Sequence, residues 1–271
     1  MRRPVLGLAL VAATGALAAT AAADSTVRLV ILAETGIGSS SQAQPYVDKL
    51  VAIAADKNGW SSAEGKYFRS RSEAVGYING QSPHYGIVSL GAFLGLRQAH
   101  GFEVIGAADV ARAGGRRYHI VSKNQSDLGG CKGKSLATNH GGDERFINKV
   151  VSGGDFALSD FTVVATTRPV QTIKKVASGD AECALIDDAQ YDEIAHVDGA
   201  SGVKSVWQSK QLPPMPVVAL PSASAAEKAK FKSTLDSLCD GDGKQVCNEV
   251  GIQGLRSASD ADYAAVIAAY Q

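Results

Sequence analysis

Several stretches of this 271-residue chain place hydroxyls and amides beside glycine, the pairing that holds small anions without a metal. Gly36-Ile37-Gly38-Ser39-Ser40-Ser41 follows the strand-like run Val27 to Ala33 and precedes a helical pattern. Flexible backbone, three hydroxyls and the open N–H groups of a helix start suit an oxyanion, and suit an ordinary glycine turn with an N-cap equally well. Ser89-Leu90-Gly91 follows the run Tyr85 to Val88, and Thr138-Asn139-His140-Gly141-Gly142 follows Ser135 to Thr138. A fourth stretch, Asp187-Asp188 with Tyr191, follows the apolar run that ends at Ile186. In open α/β sheets ligands sit beyond the C-terminal strand ends, where helix N-termini point outward. All four loops hold that position.

Catalytic patterns are missing from the sequence. The Gly36-x-Gly38-x-x-Ser41 turn has serine where a dinucleotide fingerprint has its third glycine, and the second strand ends at Phe68-Arg69 without a ribose-binding acid. No Gly-x-Ser-x-Gly elbow occurs, and His84, His100, His119, His140 and His196 share no metal-site spacing. The expectation is binding without chemistry, with no catalytic residue, cofactor or metal.

The elements that must position these loops alternate. Val27 to Ala33 reads as a strand, and Gln42 to Lys57 repeats apolar residues at helical spacing through Val47, Leu50, Val51 and Ala54. Tyr67-Phe68, a helix through Ala74, Val75 and Ile78, the strand ending at Val88, another helix and the strand Glu103 to Gly106 complete one βαβα unit. A second unit runs through Tyr118–Val121, Ser135–Thr138, a helix over Glu144–Val151, Phe161–Ala165, a helix over Pro169–Ser178, Cys183–Asp187 and a helix over Tyr191–Val197. After Pro213-Pro214-Met215-Pro216 the strand Val217 to Leu220 is followed only by helices, near Ala225–Leu238 and Asp260–Tyr270. One strand cannot form its own sheet, so the tail is expected to return to the first unit. The predicted fold is α/β: two lobes with mixed, mostly parallel sheets, lobe one comprising 24–115 and 217–271 and lobe two 116–216. Crossings near 114–118 and 212–217 would form a hinge over a cleft.

The first 23 residues read as a secretory signal: Met1-Arg2-Arg3-Pro4, an apolar run from Val5, then Ala21-Ala22-Ala23 before Asp24. With no cysteine before Cys131 there is no lipobox, so a soluble periplasmic chain without a lipid anchor is expected. The whole sequence balances 27 basic against 27 acidic side chains, and removal of residues 1–23 leaves 25 against 27. Near-neutral, scattered charge argues against nucleic acid as a partner. An oxidising compartment favours disulfides. Cys239 and Cys247 bracket Asp240-Gly241-Asp242-Gly243 and suit a local pair, which leaves Cys131 and Cys183 for each other; Cys183 in an apolar run also fits a buried free thiol.

Leu128-Gly129-Gly130-Cys131-Lys132-Gly133-Lys134-Ser135-Leu136-Ala137, the stretch Val176 to Asp187 (VASGDAECALID), and Gly251 to Leu255 followed by Asp260-Ala261-Asp262-Tyr263 together resemble the phosphate, phosphite and phosphonate family of periplasmic binding proteins, of the type II, transferrin-like fold. Glu182 replaces the family's usual Asp, and Gly80 to Ile87 departs from its Gly-x-x-Asp-Leu pattern. The resemblance implies a solute-binding protein of an ABC-type transporter that captures a small oxyanion, with a membrane permease as partner and a monomeric state. In that family hydroxyls of the first and third loops hold the anion and an acid of the fourth meets an amine or protonated oxygen. By position this nominates Ser39, Ser40, Ser89, Thr138, Asn139, His140 and Asp187. A loop histidine such as His140 is equally well read as simply solvated. Thr166-Thr167 is a weaker candidate, since threonine favours strands anyway. Two alternatives remain open. The same fold can carry a hydrophobic ligand such as a sterol, with Ile37, Leu90, Phe93, Leu94 and Met215 near the cleft loops, and the proposed loops contain no arginine or lysine. A non-transport sensor or interaction module is the other.

Overall fold

The computed structural model describes residues 26–34, 40–111, 114–249 and 251–271; the signal segment and Ser39 lie outside them. The chain runs β1 (Val27–Leu32), α1 (Ser40–Asn58), β2 (Ala63–Phe68), α2 (Arg71–Gln81), β3 (Tyr85–Val88), α3 (Leu90–His100) and β4 (Glu103–Val110). It continues through β5 (Tyr118–Ser122), α4 (Leu128–Cys131), β6 (Ser135–Thr138), α5 (Glu144–Phe146), β7 (Thr162–Ala165), α6 (Pro169–Ala177), β8 (Cys183–Asp187), α7 (Asp188–Glu193) and β9 (Lys204–Gln208). The last elements are β10 (Met215–Ala219), α8 (Ala225–Thr234), α9 (Gly243–Glu249), β11 (Ile252–Ser257) and α10 (Ala264–Tyr270).

These strands form two sheets, ordered β11-β4-β10-β3-β1-β2 and β7-β6-β8-β5-β9. The chain therefore leaves the first sheet after Val110 and re-enters it at Met215. Both sheets are mixed. β1 pairs in parallel with β2 and β3, and β6 with β7 and β8, while β10, β11, β5 and β9 all run antiparallel to their neighbours. Among the described strands β10, β11 and β5 run against the rest of their sheets, so the two α/β sheets are mixed as expected. β10, β11 and β5 enter from connections that return them against the direction of the other strands, so they pair antiparallel with their neighbours. The tail differs from the expectation: it carries a further strand, β11, paired with β4, where only helices were expected.

Alternation along β1 explains the layering. Val27, Leu29 and Ile31 pack with Val47, Leu50, Val51 and Ala54 of α1 and with Phe231 of α8, while Val30 and Leu32 face Ala74, Ile78 and Phe93 on the opposite side. A period of two in the strand meeting a period near 3.6 in the helix produces this arrangement. In the second sheet Leu136 and Leu185 share the hydrophobic cluster of Phe93 and Val30, so one core runs across both sheets. Phe146 and Tyr118 belong to it too. At the end of the chain Tyr263, 1% exposed, donates its hydroxyl to the Pro214 carbonyl at 3.1 Å, which ties the C-terminal segment to the returning crossover. Both expected disulfides are present, Cys131–Cys183 and Cys239–Cys247, and no cysteine is free. No helix among the described residues is long and apolar enough to cross a membrane.

Candidate ligand-binding cleft

A cavity of about 250 Å³ opens where the C-terminal ends of β1, β3 and β6 face one another across the two crossovers. Its first-sheet wall is made of Ala33, Glu34, Arg71, Ser89 and the first residues of α3, Leu90 and Gly91. Tyr118, Asn139, His140, Gly142, Asp143 and Phe146 form the opposite wall. Gly114 to Arg116, Pro213 and Met215 of the crossovers close it.

Ser89 is the N-cap of α3, yet its side chain makes no cap bond, because its hydroxyl donates to Glu34 Oε2 at 3.2 Å. Leu90 and Gly91 thus line the cavity at the N-terminal, positive end of this 11-residue helix. Glu34 is held by Arg71, which donates through Nε at 2.8 Å and Nη2 at 2.9 Å. The third nitrogen of Arg71, Nη1, reaches across the cleft to Asp143 Oδ2 at 2.9 Å. Burial alone would lower the Arg71 pKa, but the hydrogen bonds and charge of Glu34, then of Asp143, outweigh it and hold the guanidinium protonated. Asp143 in turn caps α5, accepting the Phe146 N–H at 2.9 Å.

The opposite wall rests on a buried polar network. Thr138 Oγ1 donates to the Leu185 carbonyl at 3.0 Å and accepts the His140 N–H at 3.0 Å. His140 Nε2 lies 2.6 Å from Gln190 Oε1, and Gln190 Nε2 donates to Asn139 Oδ1 at 3.0 Å. Gln190 and Asp187 cap α7 reciprocally: the Gln190 N–H donates to Asp187 Oδ1 at 2.9 Å, and the Asp187 N–H to Gln190 Oε1 at 3.2 Å. Burial pushes the Asp187 carboxyl up to about 7, despite the hydrogen bond it receives from Gln190. Burial lowers His140 to about 4, with the Gln190 contact opposing. Tyr118 is pushed well above its ordinary value, first by burial and then by the nearby Asp187 and Asp188. Gly114 has φ +72°, and a Cβ there would come within 2.1 Å of Asp187 Oδ2, so only glycine lets the crossover pass this carboxyl.

Of the nominated residues, Ser89, Asn139 and His140 meet on this one cavity. Thr138 and Asp187, each 1% exposed, stand a layer behind it, one fixing the His140 backbone and the other capping α7. Ser40 opens α1 and is not on the wall, and Ser39 lies outside the described residues. The weaker candidate Thr166 is buried against Thr172, with hydroxyl oxygens 2.5 Å apart. Sequence reasoning missed Glu34, Arg71, Tyr118, Asp143 and Gln190. The strand-end loops contain no basic residue, but Arg71 arrives from the start of α2 and Arg116 from the crossover. Asp187-x-x-Gln190 and Asp143 just before Glu144 are cap patterns visible in the sequence, and would have pointed to two of these five.

Residues 148–263 match the family model described as ABC transporter, phosphonate, periplasmic substrate-binding protein. No curated protein matches the chain significantly. Among solved structures, the binding-protein component of an ABC phosphonate transporter from Pseudomonas aeruginosa superposes with a TM-score of 0.62 at 13% identity, covering 87% of this chain and 82% of that one. A Xanthomonas citri protein solved with chloride and with ATP gives 0.69 at 12% identity, over 91% and 97%. A Prochlorococcus marinus protein in complex with methylphosphonate gives 0.65 at 10% identity, over 90% and 96%. At these identities the superpositions speak for the fold. The sequence match covers the VASGDAECALID stretch and the closing residues Gly251 to Tyr263, two of the three segments on which the resemblance rested. Residues 148–263 thus carry the signature of the phosphonate-type periplasmic substrate-binding family, on a two-sheet fold shared with the binding proteins of ABC transporters.

Proposed function

We propose that this chain is the solute-capturing component of an ABC-type transporter and holds a small oxyanion of the phosphonate or phosphate type in the cleft between its two sheets. The observation that carries this reading is the convergence on one cavity of the uncapped N-terminus of α3 and the Asn139 to Gly142 loop. A helix N-terminus can hold an anion through its backbone N–H groups and the positive end of its dipole, without a dedicated lysine. Closure of two lobes around the solute would present it to a membrane permease, and export through residues 1–23 would place the chain in the periplasm. The family match over residues 148–263 supports the transport role.

Of the apolar residues on which the sterol alternative rests, only some reach the cavity. Leu90 and Met215 do line it, but Phe93 and Leu94 are core residues, Phe93 packing edge-on against Tyr263.

A thermal-shift screen tests the reading on protein that has been unfolded and refolded to strip carried solute. A ligand at a hundred times its Kd adds about 2.7 kcal/mol, or roughly 5 to 10 °C for a chain of this size. Phosphate, phosphite or methylphosphonate is expected to produce such a shift. A shift with lipids alone would overturn the oxyanion reading while leaving the fold assignment intact.

A further inference from the structure

The hydrogen bonds of Gln190 determine which atoms the second-sheet wall offers a ligand. Its amide orientation is set by backbone groups that have only one role each: Oε1 accepts the Asp187 N–H at 3.2 Å, and Nε2 donates to the Pro169 carbonyl at 3.2 Å. Reversal of the amide would put donor against donor and acceptor against acceptor. Since Oε1 is an acceptor, the 2.6 Å contact with His140 requires the proton on His140 Nε2. Gln190 Nε2 likewise identifies the Asn139 atom it meets as the oxygen, which also accepts from Thr172 Oγ1 at 3.2 Å.

Two groups remain for the cavity. His140 Nδ1 has no hydrogen-bond partner among the described residues and is not one of their fully buried polar atoms that lack one. In a neutral imidazole whose proton is on Nε2, Nδ1 is a pure acceptor. The Asn139 NH₂ is a pure donor. Both residues line the cavity. The charges of its walls also cancel, Arg71 and Arg116 against Glu34 and Asp143, so a dianion meets no net positive charge there.

We propose that the cleft selects the singly protonated form of its oxyanion, the ligand's P–OH donating to His140 Nδ1 and an unprotonated oxygen accepting from the Asn139 amide. Gln190 is the positioning residue that sets this polarity without touching the ligand. The inference rests on the oxyanion reading above and goes beyond it by naming the ionisation state. A fully ionised ligand would set an oxygen lone pair against the Nδ1 lone pair, and a sulfonate has no proton to give.

Other groups near His140 also titrate or carry charge: Asp187 with Oδ2 at 3.9 Å from Nε2, Tyr118 against the imidazole ring, Asp188 behind them, and Glu34, Asp143, Arg71 and Arg116 around the cavity. The test must therefore separate ligand ionisation from protein ionisation. Calorimetric titration of the refolded protein from about pH 5 to about pH 9 would compare methylphosphonate with trifluoromethylphosphonate, whose second ionisation comes at lower pH. Affinity for each is expected to fall about tenfold per pH unit above that ligand's own second ionisation, so that the fluorinated ligand is lost first. Profiles that break at a common pH, or that stay flat, overturn the inference and leave the oxyanion reading standing. If neither phosphonate, nor phosphate or phosphite, binds at any pH, the oxyanion reading fails and takes the inference with it.

Nitrogen-15 NMR of the protein alone supplies a ligand-independent check: His140 is expected as the Nε2–H tautomer, and finding the proton on Nδ1 overturns the proposal. Gln190→Met should give mixed tautomers and a flatter pH profile while methylphosphonate still binds. An unchanged tautomer and profile in that variant would remove Gln190 from the role. Should the variant fail to fold, the tautomer and the two-ligand comparison in the unaltered protein decide.

Discussion

Asp187 and His140 face each other in the wall of the second sheet with opposite electrostatic consequences. Their side chains are 1% and 3% exposed, and burial disfavours the charged form of each. The carboxyl, raised from 3.8 to about 7, binds its proton more tightly in the folded chain, so it contributes stability that is full below pH 3.8 and lost as pH rises to about 7. The imidazole, lowered from 6.5 to about 4, contributes stability that is full above pH 6.5 and lost as pH falls to about 4. Between about pH 4 and 6.5 the two slopes oppose, and the unaltered protein is expected to melt at a nearly constant temperature across that window. Asp187→Asn should unmask a rise of stability with pH over that range, and His140→Gln a fall, each at most about 1.4 kcal/mol per pH unit. Thermal melts of the three proteins at stepped pH check this, and parallel profiles would show that the two groups titrate as they do in the unfolded chain. None of this was legible before the structure. His140 and Asp187 stood out as loop residues, but their proximity depends on β6 and β8 being neighbours in the sheet.

The same neighbouring strands explain the larger of the two disulfides. Cys131 at the end of α4 is buried beside Cys183 at the start of β8, and their bond closes a separation of 52 residues, against 8 for Cys239–Cys247. In the chain-entropy account, loops of these lengths restrict the unfolded state by about 4 and about 2.5 kcal/mol. Cys131→Ala with Cys183→Ala is accordingly expected to lower the melting temperature by roughly 8 to 16 °C, clearly more than Cys239→Ala with Cys247→Ala; equal losses by calorimetry would show that strain or packing outweighs loop length. Spacing pointed to Cys239–Cys247 and left Cys131–Cys183 to elimination beside a free Cys183 thiol, whereas most strands were readable, because Val27–Leu32, Tyr85–Val88 and Cys183–Asp187 are short apolar runs bounded by turn residues. β11 escaped because Ile252-Gln253-Gly254-Leu255-Arg256-Ser257 alternates weakly, contains glycine and buries only Ile252 and Leu255. Its partner β4 makes it a strand, and a long-range pairing of this kind leaves little local trace. The helical pattern over Glu144 to Val151 was sound, but its second half, Ile147–Val151, winds as a π-helix, a distinction that hydrophobic spacing does not carry.

Across the whole molecule, the two halves are joined by more than their two crossovers. Arg71 of the first half bonds Asp143 of the second, Tyr270 OH donates toward the same carboxylate at 3.4 Å, and the Arg145 guanidinium lies 5.4 Å from the Tyr270 ring. Beside them Phe146 closes on Gly91, where a Cβ would come within 3.2 Å of its ring. The polar bridge and the apolar contact differ in how they respond to salt. Arg71, Glu34 and Asp143 keep 29%, 25% and 14% of their side-chain surface exposed, so the bridge is worth on the order of 1 kcal/mol and weakens as ionic strength rises. An equilibrium between two arrangements of such halves would be a balance of a few kcal/mol, small enough for that contribution to shift the populations severalfold. Arg71→Met keeps the aliphatic bulk and removes the bridge. Its radius of gyration by small-angle X-ray scattering is expected to exceed that of the unaltered protein at low salt and to change little on adding salt, whereas the unaltered protein expands toward the same value. If the variant stays as compact as the unaltered protein, the shared core through Phe146 and Tyr118 holds the lobes together by itself, and the role of Arg71 reduces to orienting Glu34 beneath the α3 N-terminus.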